Sequence, residues 1–157
     1  MKPIKKILCP VDFSDLSDET IEIALQLAEK YGASFHIIYV LSRPQLYDWS
    51  LSGMSASVLD NWYEETKKEV TTKIHALVEL IQKDHPEVHI TSQLSEMVDP
   101  ADGIMEAATT HKSDVIIMGS HGRKGLSRLL MGSVAEAVLR HAPCGVMIYK
   151  KKADPTE

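Results

Sequence analysis

Val115-Ile116-Ile117-Met118 runs directly into Gly119-Ser120-His121-Gly122-Arg123-Lys124-Gly125. Four consecutive apolar residues leave neither face of a strand for water. A strand of that kind sits centrally in a parallel sheet covered on both faces. The glycine-rich, basic segment after it must then lie at the strand's carboxyl end, where open α/β sheets hold their ligands.

Working outward, the same grammar repeats. Toward the N-terminus, Pro100 to His111 reads as a helix with Ile104, Met105, Ala107 and Ala108 inward. Val88 to Leu94 alternates poorly and reads as an edge strand. A long helix from about Val58 to Asp84 carries the stripe Val70, Ile74, Leu77 and Ile81, with Glu64 and Lys68 as an i,i+4 pair on its wet side, and Pro86 stops it. Residues 42–57, with Pro44 and Gly53, read as a loop. Ser34 to Leu41 is the second strand. Ile21, Ala24, Leu25, Ala28 and Tyr31 mark one face of a helix that begins near Ser17 and is capped by Gly32. The first strand is Ile4 to Val11, followed by the turn Asp12-Phe13-Ser14-Asp15. Beyond the glycine segment, a helix near Gly132 to His141 and a strand Gly145 to Lys150 complete the pattern.

Strands separated by helices are βαβ crossovers. The fold class expected is α/β: one doubly wound, mostly parallel sheet of five strands in the order 3-2-1-4-5, with helices on both faces. Residues 1–150 are expected to form one domain and 151–157 a short charged tail. In that order strands one and four are neighbours at the switch point, so a ligand should touch the segments after Val11 and Met118.

Composition sets the outer bounds. The chain has 157 residues, 44% of them hydrophobic and 25% charged, which is one domain's length and an ordinary soluble balance. Seventeen Lys plus Arg against 22 Asp plus Glu give a net charge of -5, which argues against a dedicated nucleic-acid binder. No stretch approaches the roughly 20 apolar residues of a membrane span, and the N-terminus lacks a secretory pattern. Cys9 and Cys144 suggest neither a disulfide framework nor a zinc site, and the expected compartment is the cytoplasm.

Between Asp114 and Glu136 there is no acidic residue, whereas Arg123, Lys124 and Arg128 all lie there. Glycines let a backbone approach a phosphate and aim N–H groups at it. Gly132-Ser133 opens a helix whose N-terminus adds partial positive charge, and Ser133 offers a hydroxyl. Strand, glycine loop, basic residues and helix start together make a phosphate cradle. It is neither a Walker A loop nor the dinucleotide fingerprint.

The pattern Gly119-x2-Gly122-x9-Gly132-Ser133 resembles the nucleotide-binding signature of the universal stress protein A family. Ile7-Leu8-Cys9-Pro10-Val11-Asp12-Phe13-Ser14 and Arg140-His141-Ala142-Pro143-Cys144 match it too, so the resemblance runs from Ile4 to Tyr149. It implies the ATP-binding subgroup. Pro10 and Asp12 would line the nucleotide, with Asp12 near the ribose or near a metal held indirectly through the phosphates. Val40 would meet the adenine; Met118 and Gly119 would border ribose and phosphates. Ser120, His121, Gly122, Arg123, Gly132, Ser133 and Val134 would wrap the phosphates. Where the family often carries glycine before an acidic-Pro pair, this chain has Val98-Asp99-Pro100. Valine avoids positive φ, so the loop beside the adenine should differ.

Several of these residues also have plainer readings. Ser133-Val-Ala-Glu136 is a capping box. Asp12 is suited to an Asx turn or helix cap. Gly125 and Gly132 are also ordinary turn glycines. Cys9 and Cys144 read as inert core thiols, and His36 as a satisfied interior side chain. His75, His85 and His89 have no metal-ligand spacing. His121 either contacts a phosphate or is solvated. Trp49, Trp62 and Tyr63 read as packing or rim residues, since no basic residues interleave them.

The function expected is an ATP-binding stress-response and signalling protein, with Mg²⁺ or Mn²⁺ accompanying the nucleotide and at most slow turnover. The alternatives are a slow ATPase, a nucleotidyl or phosphoryl transferase using the same pocket, or a sensor of AMP or cyclic AMP. The loop has no carboxylate to activate water, and G-x-S-x-G is absent. The apolar last strand, 144–150, lies at a sheet edge that invites pairing, and the family resemblance likewise implies a homodimer. No nucleic-acid or membrane partner is expected, and the signalling partner is unknown.

Overall fold

The computed structural model describes residues 3–42, 55–121 and 131–151. Among these residues nine elements alternate: β1 (Lys6–Pro10), α1 (Asp15–Tyr31), β2 (Ser34–Ser42), α2 (Ala56–Asp84), β3 (Ile90–Met97), α3 (Pro100–His111), β4 (Val115–Gly119), α4 (Ser133–His141) and β5 (Gly145–Tyr149). The five strands form one sheet in the order β3-β2-β1-β4-β5, and every pairing is parallel. That is the architecture the alternation of strand and helix patterns predicts.

Alternate residues of the central strands face opposite sides. Ile7, Cys9 and Ile117 join Phe35 and Ile37 under α1 and α2. Leu8, Ile116 and Met118 join Ile38 under α3 and α4. Both faces are therefore dry, which is why β1 and β4 contain no polar residue in their middles. Each of these fully buried aliphatic side chains stabilises the fold by about 1.5–3 kcal/mol.

The helices follow their sequence signals with small shifts at the ends. Gly32 caps α1 at φ +57, its N–H reaching Ala28 and Glu29 carbonyls. Lys112 takes the equivalent left-handed position after α3 at φ +52, without a glycine. The buried residues of α2 are Tyr63, Val70, Ile74 and Ile81, with Leu77 partly buried beside them. The largest shift is in β3, expected at Val88 to Leu94 and found at Ile90–Met97, because β3 follows the full length of β2 from Phe35↔Ile90 to Ser42↔Met97.

Two minor expectations are corrected. Cys9 is buried and its thiol is pushed up to about 12 by burial, as an inert core thiol should be, but Cys144 is only half-buried. His36 is buried but only half satisfied: its Nδ1 meets Thr91 Oγ1 at 2.7 Å, while Nε2 has no partner among the described residues. Trp62 is exposed, whereas Tyr63 is buried and donates its hydroxyl to Glu96 Oε2 at 2.9 Å. Trp49 and most of the loop expected at 42–57 lie outside the described residues. No helix among the described residues is long and apolar enough to cross a membrane.

Candidate functional site

The strand order sets the carboxyl ends of β1 and β4 side by side. From there β1 leads to α1 on one face and β4 leads to α4 on the other. Chain diverging in both directions opens a crevice at the switch point.

On the β1 side, Pro10 stands opposite Ile38, and the Val11 N–H extends the ladder to the Ile38 carbonyl at 2.9 Å. Asp12 is half-buried and organises the turn. Its Oδ1 accepts from the Ser14 N–H at 3.1 Å and from the Ser14 hydroxyl at 2.6 Å. The Asp12 N–H donates to Ser17 Oγ at 3.3 Å, and the Ser17 N–H donates to Ser14 Oγ at 3.2 Å. Ser14 is thus the N-cap of α1, and Asp12 forms the Asx turn that presents it. Between them Phe13 has φ +59, a conformation side chains rarely adopt. Its ring stacks on Tyr39 with centroids 5.3 Å apart, packing that holds the strained turn in place.

On the β4 side, Met118 is buried and Gly119 ends the strand. A Cβ on Gly119 would lie 2.9 Å from Leu16 Cδ2, so the missing side chain lets the first turn of α1 rest against β4. Ser120 is buried and tied three ways. Its N–H donates to the Tyr149 carbonyl at 2.8 Å, its carbonyl accepts from the Gly132 N–H at 2.7 Å, and its hydroxyl meets His121 Nδ1 at 3.0 Å. A Cβ on Gly132 would stand 3.2 Å from His121 Cα and 3.4 Å from the Ser120 carbonyl oxygen, both backbone atoms. The end of β4 and the start of α4 are therefore in direct contact. Gly122, Arg123, Lys124, Gly125 and Arg128, between them in sequence, lie outside the described residues.

The capping box read from Ser133 and Glu136 does not form. Gly132 is the N-cap, which makes Ser133 the first helical residue, and Glu136 pairs instead with Arg140 at 2.9 Å. A glycine cap brings no side-chain acceptor to the first-turn N–H groups. The other two helices beside this crevice are closed to an anion by comparison. Ser14 caps α1, whose first turn holds Asp15 and Asp18; Asp99 caps α3 through the Ala101 N–H at 2.8 Å. The first turn of α4 also holds an acid, Glu136, but its carboxylate is paired with Arg140, so among the described helices here α4 is the one whose N-terminus least opposes an anion.

Val134 is half-buried against the cluster containing Ala135 and Val138. Val40 is half-buried near the end of β2, the strand beside β1, and packs on the same face as α3. Val98 does not take positive φ; its carbonyl accepts from Ser42 Oγ at 2.9 Å, which ties the loop before α3 to the end of β2. The described sequence candidates thus gather at one end of the sheet: Pro10 and Asp12 above β1, Val40 on β2, and Met118 to His121 with Gly132 to Val134 around β4.

Sequence reasoning missed Phe13, Leu16, Ser17 and Tyr149, which shape this end. A positive φ at Phe13 and the seat of Leu16 on Gly119 leave no periodic signal. The Tyr149 carbonyl meets Ser120, and its hydroxyl donates to Glu19 Oε2 at 2.9 Å. The pairing of β4 with β5 and the packing of α1 on β4 bring these groups together.

The sequence profile described as "Universal stress protein family" matches residues 3–150. The curated relative Universal stress protein MJ0531 of Methanocaldococcus jannaschii is 35% identical over 147 residues, spanning 94% of this chain and 82% of the relative. The solved structure of universal stress protein UspA from Lactobacillus plantarum is 23% identical with a TM-score of 0.78, covering 96% of this chain and all of that one. A universal stress protein from Archaeoglobus fulgidus, solved in complex with dAMP, is 19% identical with a TM-score of 0.64, covering 94% of this chain and 98% of that one.

Proposed function

The chain belongs to the universal stress protein family, and from that membership we propose that it is an ATP-binding stress-response and signalling protein. The nucleotide lies across the carboxyl ends of β1 and β4. One observation carries the reading: Asp12, held by Ser14, and the Gly119–His121 segment, held against Gly132, converge beside the one helix N-terminus among the described residues of this crevice whose cap has no side chain. The phosphates lie toward Ser120, His121, Gly132 and Ser133, with Gly122 and Arg123 completing the wrap. The adenine lies toward Val40, with Pro10 and Met118 between. A relative solved with dAMP supports an adenine nucleotide as the ligand class.

Mg²⁺ or Mn²⁺ enters with the nucleotide. Among the described residues no group of three or more His, Cys, Asp or Glu could hold a metal ion. A Mg²⁺ carried by nucleotide phosphates commonly has one or two carboxylates near it, and Asp12 would be the one here. The protein's own part is to bind and orient, and nucleotide occupancy is the signal. We further propose a homodimer through residues 144–150. Among the described strands β5 pairs only with β4, and Met147 on it is exposed.

The test is to denature purified protein and identify the released nucleotide by chromatography, with Gly132→Val and Ser133→Ala beside it. The expected result is ATP near one per chain, lost in Gly132→Val because a valine Cβ would press on the His121 backbone. AMP or cyclic AMP in its place would make the protein a sensor of that nucleotide. No bound nucleotide, together with no thermal shift on adding ATP and Mg²⁺, would overturn the reading. Turnover separates binder from enzyme: less than about one per minute, against an enzyme median of about 10 per second, marks a binding module.

A further inference from the structure

We infer that Gly103, in the first turn of α3, is a positioning residue for the nucleobase. The inference rests on the proposed nucleotide site and adds a residue outside its signature. Gly103 is buried, and a Cβ there would lie 2.9 Å from both Cγ1 and Cγ2 of Val40 and 3.3 Å from Met97 Cγ. Carbon atoms do not approach that closely without something moving.

Val40 cannot turn away. A valine has three staggered sites for its two methyls. The two now occupied are both too close to a Cβ at position 103, and any other rotamer keeps a methyl in one of them. Relief must come from the backbone: α3 lifts from the sheet, or the end of β2 is pushed aside. Lifting α3 is itself opposed, because the Ser42 hydroxyl holds the Val98 carbonyl at 2.9 Å just before the Asp99 cap. The Gly103 N–H meanwhile donates to the Asp99 carbonyl at 3.3 Å. Contact at Gly103 therefore sets where Val40 stands, and Val40 is the residue assigned to the base. The atoms nearest a Cβ at 103 belong to Val40 and Met97, and none to Gly119, Ser120 or Gly132 at the phosphate end, so a change at 103 should reach the base and spare the phosphates.

The experiment compares the binding of ATP and of inorganic tripolyphosphate, both with Mg²⁺, by calorimetry in four proteins: wild type, Gly103→Ala, Val40→Ala and the double variant. Gly103→Ala should weaken ATP about tenfold and leave tripolyphosphate unchanged. In the Val40→Ala background, where the colliding methyls are absent, adding Gly103→Ala should change ATP binding by less than about twofold. Circular dichroism checks the fold. Should Gly103→Ala alone not fold, the double variant against Val40→Ala carries the comparison.

Equal losses for ATP and tripolyphosphate, or the same loss of ATP in both backgrounds, would overturn the positioning role while the nucleotide site stands. ATP binding by Gly103→Ala as tight as by wild type would do the same. Wild type that binds neither ligand would overturn the site and the inference together.

Discussion

His36 is the buried ionisable side chain least provided for. It is 7% exposed, its ring lies 3.6 Å from that of His111, and Nε2 has no partner among the described residues. Burial first, and the charge His111 would carry second, push its pKa down from 6.5 to about 4. The folded protein therefore refuses a proton that the unfolded chain accepts. Above pH 6.5 the site is neutral in both states and costs nothing; as pH falls toward 4, stability is lost, by about 3 kcal/mol at pH 4. Urea unfolding across this range should show that decline in wild type and a flatter profile in His36→Phe. An equally steep decline in the variant would place the acid sensitivity elsewhere. That His36 is interior is legible in the run Phe35-His36-Ile37-Ile38. That its ring lies against His111 is decided by the packing of α3 on the sheet.

At the scale of elements, the start of α1 joins folding to the site. Ser14 serves as helix cap and as donor to Asp12, so one hydroxyl supports both the helix and the carboxylate beside the crevice. Ser14→Ala should cost about 1 kcal/mol of stability, a typical price for a lost cap. It should also weaken ATP binding, because Asp12 loses the 2.6 Å hydrogen bond from the Ser14 hydroxyl. Denaturant midpoints and an ATP titration on the same variant check both halves. A stability loss with unchanged ATP affinity would show that Asp12 keeps its place without the Ser14 hydroxyl. The α4 start illustrates the opposite case. Ser133 and Glu136 have the right spacing for a capping box, but the Gly132 N–H is taken by the Ser120 carbonyl, and the helix begins one residue too early for the box to close.

At the scale of the whole molecule, the two sheet edges differ. The outer strand β3 carries Gln93 and Glu96 among its exposed residues, and Glu96 is paired with Lys67 of α2. The opposite edge strand β5 is Gly145-Val-Met-Ile-Tyr149, with Met147 exposed. Polar, paired residues discourage strand addition, whereas an apolar edge invites it. Association should therefore occur through β5. Sedimentation velocity at micromolar concentration should show a dimer for wild type and a monomer for Met147→Lys, with ATP binding per chain retained in both. A wild-type monomer under those conditions would remove the dimer from the proposal.

The amino-acid sequence by itself determined the alternation of elements, the strand order and the end of the sheet where the candidate residues gather. Each follows from short-range facts: an apolar run such as Val115 to Met118 needs cover on both faces, helical spacing marks a single buried stripe, and glycines at 119 and 132 accept backbone close by. Tertiary structure alone decided what depends on partners distant in sequence. β3 extends to Met97 because β2 offers a ladder that far, despite the polar residues Ser92, Gln93, Ser95 and Glu96. Gly132 rather than Ser133 caps α4 because Ser120 is there to receive its N–H. Gly103 meets Val40, and Leu16 meets Gly119, because the sheet brings together segments separated by many residues in sequence. Periodicity and capping signals act within a turn or two of chain; these contacts exist only once the sheet has closed.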